Sequence, residues 1–233
     1  MPKSKILFAV PTLDSITPYT VFSIVQACRR DDITYMALVG SPTDQVRNQI
    51  VKKLLSTDEH THLMMWDSDI QTPDDIVDLL LGCNSPMATG IVPIMMHDMI
   101  MSNIVIRHPE KPDEEDALVF MKQWSSRAVP FEVENAGAGC ILIHREVFEK
   151  VPWPWFRYEE RETDGRRTGE DIYFGRKAAE YGYKYMVHPR AICGHHKRSN
   201  LLDLVAASKK EGISITDNEG TANDGEDNRN SKD

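Results

Sequence analysis

The sequence predicts an α/β fold with a mostly parallel central sheet flanked by helices. In the first half of the chain, short apolar runs typical of buried strands alternate with amphipathic stretches of helical spacing. Strands and helices that alternate at this spacing indicate a parallel sheet with crossover helices. The chain has 233 residues, of which 41% are hydrophobic, so it is long and apolar enough for one domain with a sizeable core.

Seven elements are predicted in the first half. Each strand is a run of apolar or β-branched residues, and each helix has apolar residues three and four positions apart. Pro11 ends the first strand, Pro18 suits the first turn of the first helix, and Thr72 is the expected N-cap of the third helix. In chain order, the elements are strand Lys5–Val10, helix Thr17–Arg29, strand Ile33–Val39, helix Asp44–Leu55, strand His62–Trp66, helix Pro73–Leu81 and strand Met87–Ile94.

The second half of the body is less regular. Its predicted elements are strands Phe131–Glu134 and Gly139–His144, helix Arg145–Lys150, helix Gly169–Gly182, which ends in a glycine C-cap, and strands Tyr183–Val187 and Ala191–Gly194. We expect residues 1–207 to form a single domain. Residues 208–233 are predicted to be a disordered polar tail, because they hold too few large apolar side chains to offset the entropy of ordering.

The composition excludes several classes of protein. Lys and Arg total 27 against 36 Asp and Glu, and the net charge of −9 disfavours sequence-independent binding to phosphate backbones. No apolar run approaches the roughly 18 residues that span a bilayer, and the first apolar run is too short for a secretory signal. The four cysteines are widely spaced in apolar contexts, as in reduced intracellular proteins. We therefore expect a cytoplasmic protein without a membrane segment.

Two carboxylates directly follow the predicted strand His62–Trp66. Asp67 and Asp69 are two positions apart, so in extended backbone both side chains point to one face. The carboxyl end of a strand in a parallel sheet is where ligands bind, and hard divalent cations prefer oxygen ligands. The pattern predicts a metal site. The alternative is an Asp-rich turn in which Asp69 or Thr72 caps the next helix.

A second acidic pair and two histidines occur late in the chain. Glu170 and Asp171 open a predicted helix, where the helix dipole favours negative charge, so capping is an alternative to a catalytic role. His195 and His196 precede the polar tail, and adjacent residues of a strand face opposite ways, so only one is expected to point inward. A metal with Asp and His ligands beside a free carboxylate is the minimum apparatus for group transfer from a diphosphate.

The ordered set of motifs resembles the GT-A fold glycosyltransferases, closest to family 2-like and small phage or bacterial members. The resemblance covers most of the body from Lys5 to His196. The matching segments are Pro11, Thr12 and Asp14 after the first strand, Gln45–Asn48, the D-x-D strand Thr61–Ile70, Thr72–Asp75, Met87–Pro93, Ala136–Phe148, the "ED" helix Gly169–Lys184 and Gly194–His196.

The resemblance implies a role for each matching position. Asp67 would contact the ribose and metal side of the nucleotide, and Asp69 would bind Mn²⁺ or Mg²⁺ directly. His195 would be the third metal ligand, with His196 as its rival. The positions expected to hold the nucleotide are Pro11, Thr12, Asp14, Arg47, Asp67 and Ser68.

The resemblance also divides the chain by substrate. Residues 1–95 would bind the donor and residues 96–207 the acceptor. Asp171 would act as the general base that deprotonates the acceptor hydroxyl if the enzyme inverts, and Glu170 would position the acceptor. Retaining enzymes of this fold share the same metal apparatus, so the stereochemistry stays open.

The predicted function is transfer of a sugar from a nucleotide-diphosphate sugar, with UDP favoured, to an acceptor hydroxyl. The acceptor could be a glycan, a protein or a modified nucleobase, and the oligomeric state is not readable from the sequence. One alternative is a nucleotidyltransferase, although residues 11–20 lack the Gly- and basic-rich phosphate loop expected there. The other is a non-catalytic nucleotide-sugar or carbohydrate-binding module.

Overall fold

The structure is a computed structural model that describes residues 5–96, 99–106, 117–120, 127–160, 165 and 167–197. The predicted tail at 208–233 lies outside the described residues. Within the described ranges, no helix is long and apolar enough to cross a membrane.

Five helices and fifteen strands, many of them short, make up the described chain. The helices are α1 (Pro18–Ala27), α2 (Thr43–Leu55), α3 (Ile76–Leu81), α4 (Arg145–Lys150) and α5 (Glu170–Glu180). The strands are β1 (Ile6–Thr12), β2 (Ile33–Val39), β3 (His62–Trp66), β4 (Ile70–Gln71), β5 (Met87–Ile91), β6 (Pro93–Met96), β7 (Met99–Ile106), β8 (Ala117–Phe120), β9 (Phe131–Val133), β10 (Asn135–Ala136), β11 (Cys140–His144), β12 (Glu159–Glu160), β13 (Arg167–Thr168), β14 (Tyr185–Ile192) and β15 (Gly194–His195).

The central sheet has seven strands in the order β2-β1-β3-β11-β5-β14-β9. Its pairs β2–β1, β1–β3 and β5–β14 are parallel. Strand β11 runs antiparallel to both β3 and β5, and β9 runs antiparallel to β14. The expectation of a mostly parallel sheet is therefore corrected to a mixed sheet. To run parallel to β3, strand β11 would have to start at the amino end of β3, which requires a crossover connection. Instead, β11 starts at Cys140, which lies opposite Trp66 at the carboxyl end of β3.

Smaller sheets extend the carboxyl edge of the central sheet. Strands β10, β7 and β6 form one of them, with β8 paired to β7. A two-stranded ribbon joins β15 to β4, with His195 opposite Ile70. This pairing brings the end of the described chain beside the turn that follows β3. The sequence predicted separate strands at Tyr183–Val187 and Ala191–Gly194, whereas β14 is one strand with a register shift between Val187 and Ile192.

The hydrophobic core lies on both faces of the central sheet. All seven residues of β1 are buried, as expected for a strand covered on both sides. Alternate residues of β1 belong to two clusters, with Leu7 and Ala9 in one and Ile6 and Phe8 in the other. Helices α2, α4 and α5 contribute to the first cluster, and α1 and α3 to the second.

The predicted capping residues are correct at some helix ends and wrong at another. Helix α1 has the expected proline in its first turn, and Thr17 caps it through a hydrogen bond from the Thr20 amide. Gly182 follows α5 at φ +84°, a backbone conformation that favours glycine. Thr72 was expected to cap α3, but α3 begins only at Ile76. Thr72 is instead buried, and its amide donates to the Ser23 hydroxyl.

A pair of histidines lies at the amino end of β3, far from the turn that follows this strand. His62 is opposite His144 of β11, and the two rings meet edge to face with centroids 4.8 Å apart. The Thr61 hydroxyl lies 2.9 Å from Nδ1 of His62. Burial, reinforced by His144, lowers the pKa of His62 from 6.5 to about 4. The folded protein therefore keeps His62 neutral at pH values where the unfolded chain binds a proton.

We predict that His62 makes the stability of the protein depend on acid pH. The stability from neutral His62 is complete above about pH 6.5 and is lost as the pH falls towards about 4. Because His62 is only partly buried, solvent screening reduces the expected loss to about 1 kcal/mol. Urea unfolding of wild type and His62→Asn across this range measures it. The wild type should lose more free energy of unfolding than the variant, and parallel pH profiles would contradict the assignment.

Candidate functional site

A cavity of about 360 Å³ opens at the carboxyl ends of β1, β2 and β3, beside the amino ends of α2 and α5. Eight of the residues singled out in the sequence line it: Pro11, Thr12, Arg47, Asp67, Ser68, Asp69, Glu170 and Asp171. The remaining lining residues are Leu13, Gly40, Ser41, Thr43, Val46 and Lys197. The structure thus gathers residues from both halves of the chain at one edge of the sheet, where ligands of α/β folds bind.

The turn after β3 is held by backbone hydrogen bonds. The amide of Asp67 donates to the carbonyl of Gly139 at 3.1 Å, and the amide of Ile70 donates to the carbonyl of Asp67. The carbonyl of Ser68 accepts from the amide of Thr17, just before α1. The two D-x-D carboxylates have different surroundings, with Asp67 facing Arg47 and Asp69 facing the end of the described chain.

Arg47 of α2 is buried behind the cavity, with only 2% of its surface exposed. Its guanidinium donates to Asp67 Oδ1 at 2.6 Å, to Glu170 Oε1 at 3.2 Å and to the carbonyl of Ala138 at 3.3 Å. Burial alone would lower the pKa of Arg47, but the charges of Asp67 and Glu170 outweigh it and the pKa is raised. Arg47, which the resemblance assigns to nucleotide binding, is thus hydrogen-bonded to other residues of the protein.

Of the two carboxylates bound to Arg47, Glu170 is buried, whereas the side chain of Asp67 is 36% exposed. Burial raises the pKa of Asp67, and Arg47 offsets only part of this effect. Burial likewise raises the pKa of Glu170, which is 7% exposed, and Arg47 again opposes the rise. Each acid depends on the buried cation to remain ionised, so Asp67, Arg47 and Glu170 form one electrostatic unit.

Asp171 is held differently, at the accessible side of the α5 amino end. Its Oδ1 accepts from the Ile172 amide at 2.8 Å and its Oδ2 from the Ala138 amide at 3.1 Å. A Cβ added at Gly169 would come within 2.6 Å of Oδ1, so glycine is required for this close approach. The carboxylate is only partly buried and lines the cavity.

Asp69 faces His195 and Lys197. Its Oδ1 lies 3.4 Å from Nε2 of His195, and its Oδ2 lies 2.5 Å from Nζ of Lys197. The Nδ1 of His195 is 2.8 Å from the carbonyl of Pro93, so Nδ1 donates to this carbonyl and Nε2 faces the Asp69 carboxylate. Burial would raise the pKa of Asp69, but hydrogen bonds and charges from His195 and Lys197 lower it to about 2.

Two predicted site residues lie apart from this group. The Nε2 of His196 is 2.9 Å from Gln71 Oε1, and its ring stacks on Tyr19 with centroids 4.0 Å apart. Asp14 is exposed, and its carboxylate accepts from the Ser15 hydroxyl. The structure therefore places the ring of His195, not that of His196, beside the Asp69 carboxylate, and Asp14, His195 and His196 lie outside the cavity lining.

The predicted metal site is only partly assembled from protein ligands. Across the described ranges, no group of three or more His, Cys, Asp or Glu side chains is arranged to hold a metal ion. Asp69 and His195 nevertheless present a carboxylate oxygen and a ring nitrogen 3.4 Å apart. Ligands that share one ion at about 2.1 Å lie roughly 3.0–3.5 Å apart. The pair thus fits a divalent cation that takes its other ligands from a phosphate or from water, while Asp67 is engaged by Arg47.

Lys197 is the main site residue that the sequence reasoning missed. It lies two positions after His195, so the rule that predicted Asp67 and Asp69 on one face also applied to this pair. Gly40, Ser41 and Thr43 were missed as well, because they follow β2 in a loop without a distinctive pattern.

Comparison with solved structures gives low-identity matches over most of the chain. The crystal structure of A197 from STIV matches with 18% identity and a TM-score of 0.56, over 83% of this chain and 86% of that one. GalNAc-T7, a GT-A type glycosyltransferase crystallised with UDP, GalNAc and Mn²⁺, matches with 11% identity and a TM-score of 0.53. That match covers 90% of this chain, which spans about half of GalNAc-T7 (48%).

No protein-family model and no curated protein sequence matches the chain. At these identities the structural likeness shows the fold alone. The chain has a mixed α/β, GT-A-like fold.

We predict that removing the buried cation destabilises the protein. Arg47→Met leaves the buried Glu170 and the partly exposed Asp67 without their counter-charge, which should lower the free energy of unfolding by about 3–5 kcal/mol. Chemical denaturation monitored by circular dichroism measures this change. Arg190→Met is the matched control, because its ion pair with Asp75 is exposed and its loss should change stability by less than about 1 kcal/mol. Equal effects of the two substitutions would contradict the central role of Arg47.

Proposed function

We propose that the protein is a metal-dependent glycosyltransferase that moves a sugar from a nucleotide-diphosphate sugar to an acceptor hydroxyl. One observation carries the proposal. A single cavity in a GT-A-like fold holds two carboxylate pairs, and in each pair one member is bonded to Arg47 while the other is not. The members that do not contact Arg47, Asp69 and Asp171, have the surroundings expected for cation binding and proton transfer respectively.

The donor would bind where the first strands end. Pro11, Thr12 and Ser68 line the cavity there, as the resemblance implies for the nucleotide. We favour UDP, the nucleotide crystallised with GalNAc-T7. Arg47 would position Asp67 for the ribose and would not contact the donor itself, because its side chain is 3% exposed and already bonded.

Asp69 and His195 would hold Mn²⁺ or Mg²⁺. When bound, the ion neutralises the charge that develops on the diphosphate as the glycosyl bond breaks. Lys197, which lines the same cavity and contacts the other oxygen of Asp69, would add positive charge beside the leaving group.

Asp171 would act as the general base in an inverting displacement. Its carboxylate takes the proton from the acceptor hydroxyl as that oxygen bonds to the anomeric carbon and the nucleoside diphosphate leaves. Glu170 is the poorer candidate for the general base because it is buried and bonded to Arg47. Its proposed role is to position the acceptor. Within this single domain, residues 1–95 would bind the donor and residues 96–207 would bind the acceptor. The acceptor would be a glycan, a protein or a modified nucleobase.

The first test is release of nucleoside diphosphate from UDP-, GDP-, dTDP- and CMP-sugars with Mn²⁺ and then with EDTA. For a CMP-sugar the product measured is CMP. We predict metal-dependent hydrolysis of one donor, reduced at least about 100-fold by Asp69→Asn, because the variant loses the ionised carboxylate that holds the ion.

Asp74→Asn is the matched control, because Asp74 is an exposed acid on the loop after β4, outside the cavity lining. Failure of every donor to turn over, together with no metal-dependent binding, would refute the glycosyltransferase proposal and favour a binding module. If the protein instead releases pyrophosphate when a nucleoside triphosphate reacts with a sugar phosphate, it is a nucleotidyltransferase.

The second test separates binding from catalysis at Asp171. Asp171→Asn keeps the shape of the side chain but removes its basicity, so turnover should fall by about 10²–10⁴-fold. Affinity for the donor, measured by calorimetry, should change little. Glu180→Gln, at the exposed end of the same helix, should leave both quantities unchanged. Full activity of Asp171→Asn would exclude this residue as the base.

A further inference from the structure

Helix α1 exposes apolar side chains on its outer side. Its inner face is buried and contains Thr20, Ser23, Ile24 and Ala27. Its outer face exposes Tyr19, Val21, Phe22 and Val25, between 45% and 56% of each surface. A helix on the surface of a domain normally carries polar residues on its outer side, and contiguous exposed apolar residues mark a docking surface. We call these four outer residues the α1 face.

The described chain ends beside the α1 face. The ring of His196 stacks on Tyr19 at an interplanar angle of 5°, and the amide of His196 donates to the carbonyl of Asp69. These contacts anchor the chain at the amino end of α1, one residue before the last described position, Lys197. The residues that follow therefore start next to the exposed apolar surface.

The sequence after Lys197 contains one concentrated apolar segment. Within residues 201–205, four of the five side chains are large and apolar, namely Leu201, Leu202, Leu204 and Val205. In residues 208–233, the large apolar residues are Ile213 and Ile215 alone. The intervening residues 198–200 can span about 10 Å, and the ten residues of α1 extend about 15 Å. The segment can therefore reach the α1 face directly.

We propose that residues 201–207 dock on the α1 face and cover it. A tether of three residues holds the segment at a millimolar effective concentration, so a modest apolar contact is enough to keep it bound. A second copy of the chain is a weaker occupant, because four side chains on a ten-residue helix are far from the roughly 800 Å² per partner of a stable dimer. The contact would also hold β15, the strand that contains His195, more firmly against the protein.

Hydrogen exchange in the full-length protein tests the contact from both sides. In the wild type, the amides of residues 201–207 should exchange at least about tenfold more slowly than those of residues 217–233. The double substitution Leu201→Asp and Leu204→Asp should speed exchange in α1 about tenfold. Phe22→Asp, on the α1 face, should speed exchange in residues 201–207. Substituting Ile213 and Ile215 by Asp is the matched control and should change neither region.

The test does not involve activity, so its result is independent of the proposed glycosyltransferase function. Exchange of residues 201–207 at the rate of the following residues in the wild type would overturn the proposal. So would unchanged exchange in α1 after the double substitution. A dimer by light scattering that Phe22→Asp converts to a monomer, without change in residues 201–207, would assign the α1 face to a second copy.

Discussion

The buried guanidinium of Arg47 is the interaction on which the rest of the site depends. It joins the turn after β3, through Asp67, to the start of α5, through Glu170, and to the segment before β11, through the carbonyl of Ala138. A buried cation without partners is strongly unfavourable, and so is a buried carboxylate such as Glu170. The three charges therefore stabilise one another, and the shared contact fixes three distant segments around one cavity.

This arrangement explains why the acidic residues come in pairs. In the pair after β3, Asp67 pairs with Arg47 and Asp69 faces His195 and Lys197. In the pair at α5, Glu170 pairs with Arg47 while Asp171 is held at the cavity by backbone amides. One member of each pair belongs to the electrostatic unit around Arg47, and the other does not. Mutations at Asp67 and Glu170 should thus affect stability first.

The mixed sheet brings the second half of the chain to the same edge. Because β11 runs antiparallel between β3 and β5, its entry segment carries Ala138 to Arg47 and Gly139 to Asp67. The short ribbon of β15 with β4 then returns the chain to the turn after β3 and sets His195 opposite Asp69. A fully parallel sheet would require crossovers at both places and would move these contacts away from the cavity.

The sequence by itself determined those features that depend on neighbouring residues. The bounds of β2, β3 and α4 follow from apolar runs and capping signals within a few positions, and the D-x-D pair follows the strand directly, so their predictions match the structure. Only the tertiary structure decided the direction of β11, which histidine ring faces the Asp69 carboxylate and the partners of Arg47. Arg47 and Glu170 are 123 positions apart, and which side chain neutralises a buried charge depends on the contacts that folding brings together, which local patterns do not encode.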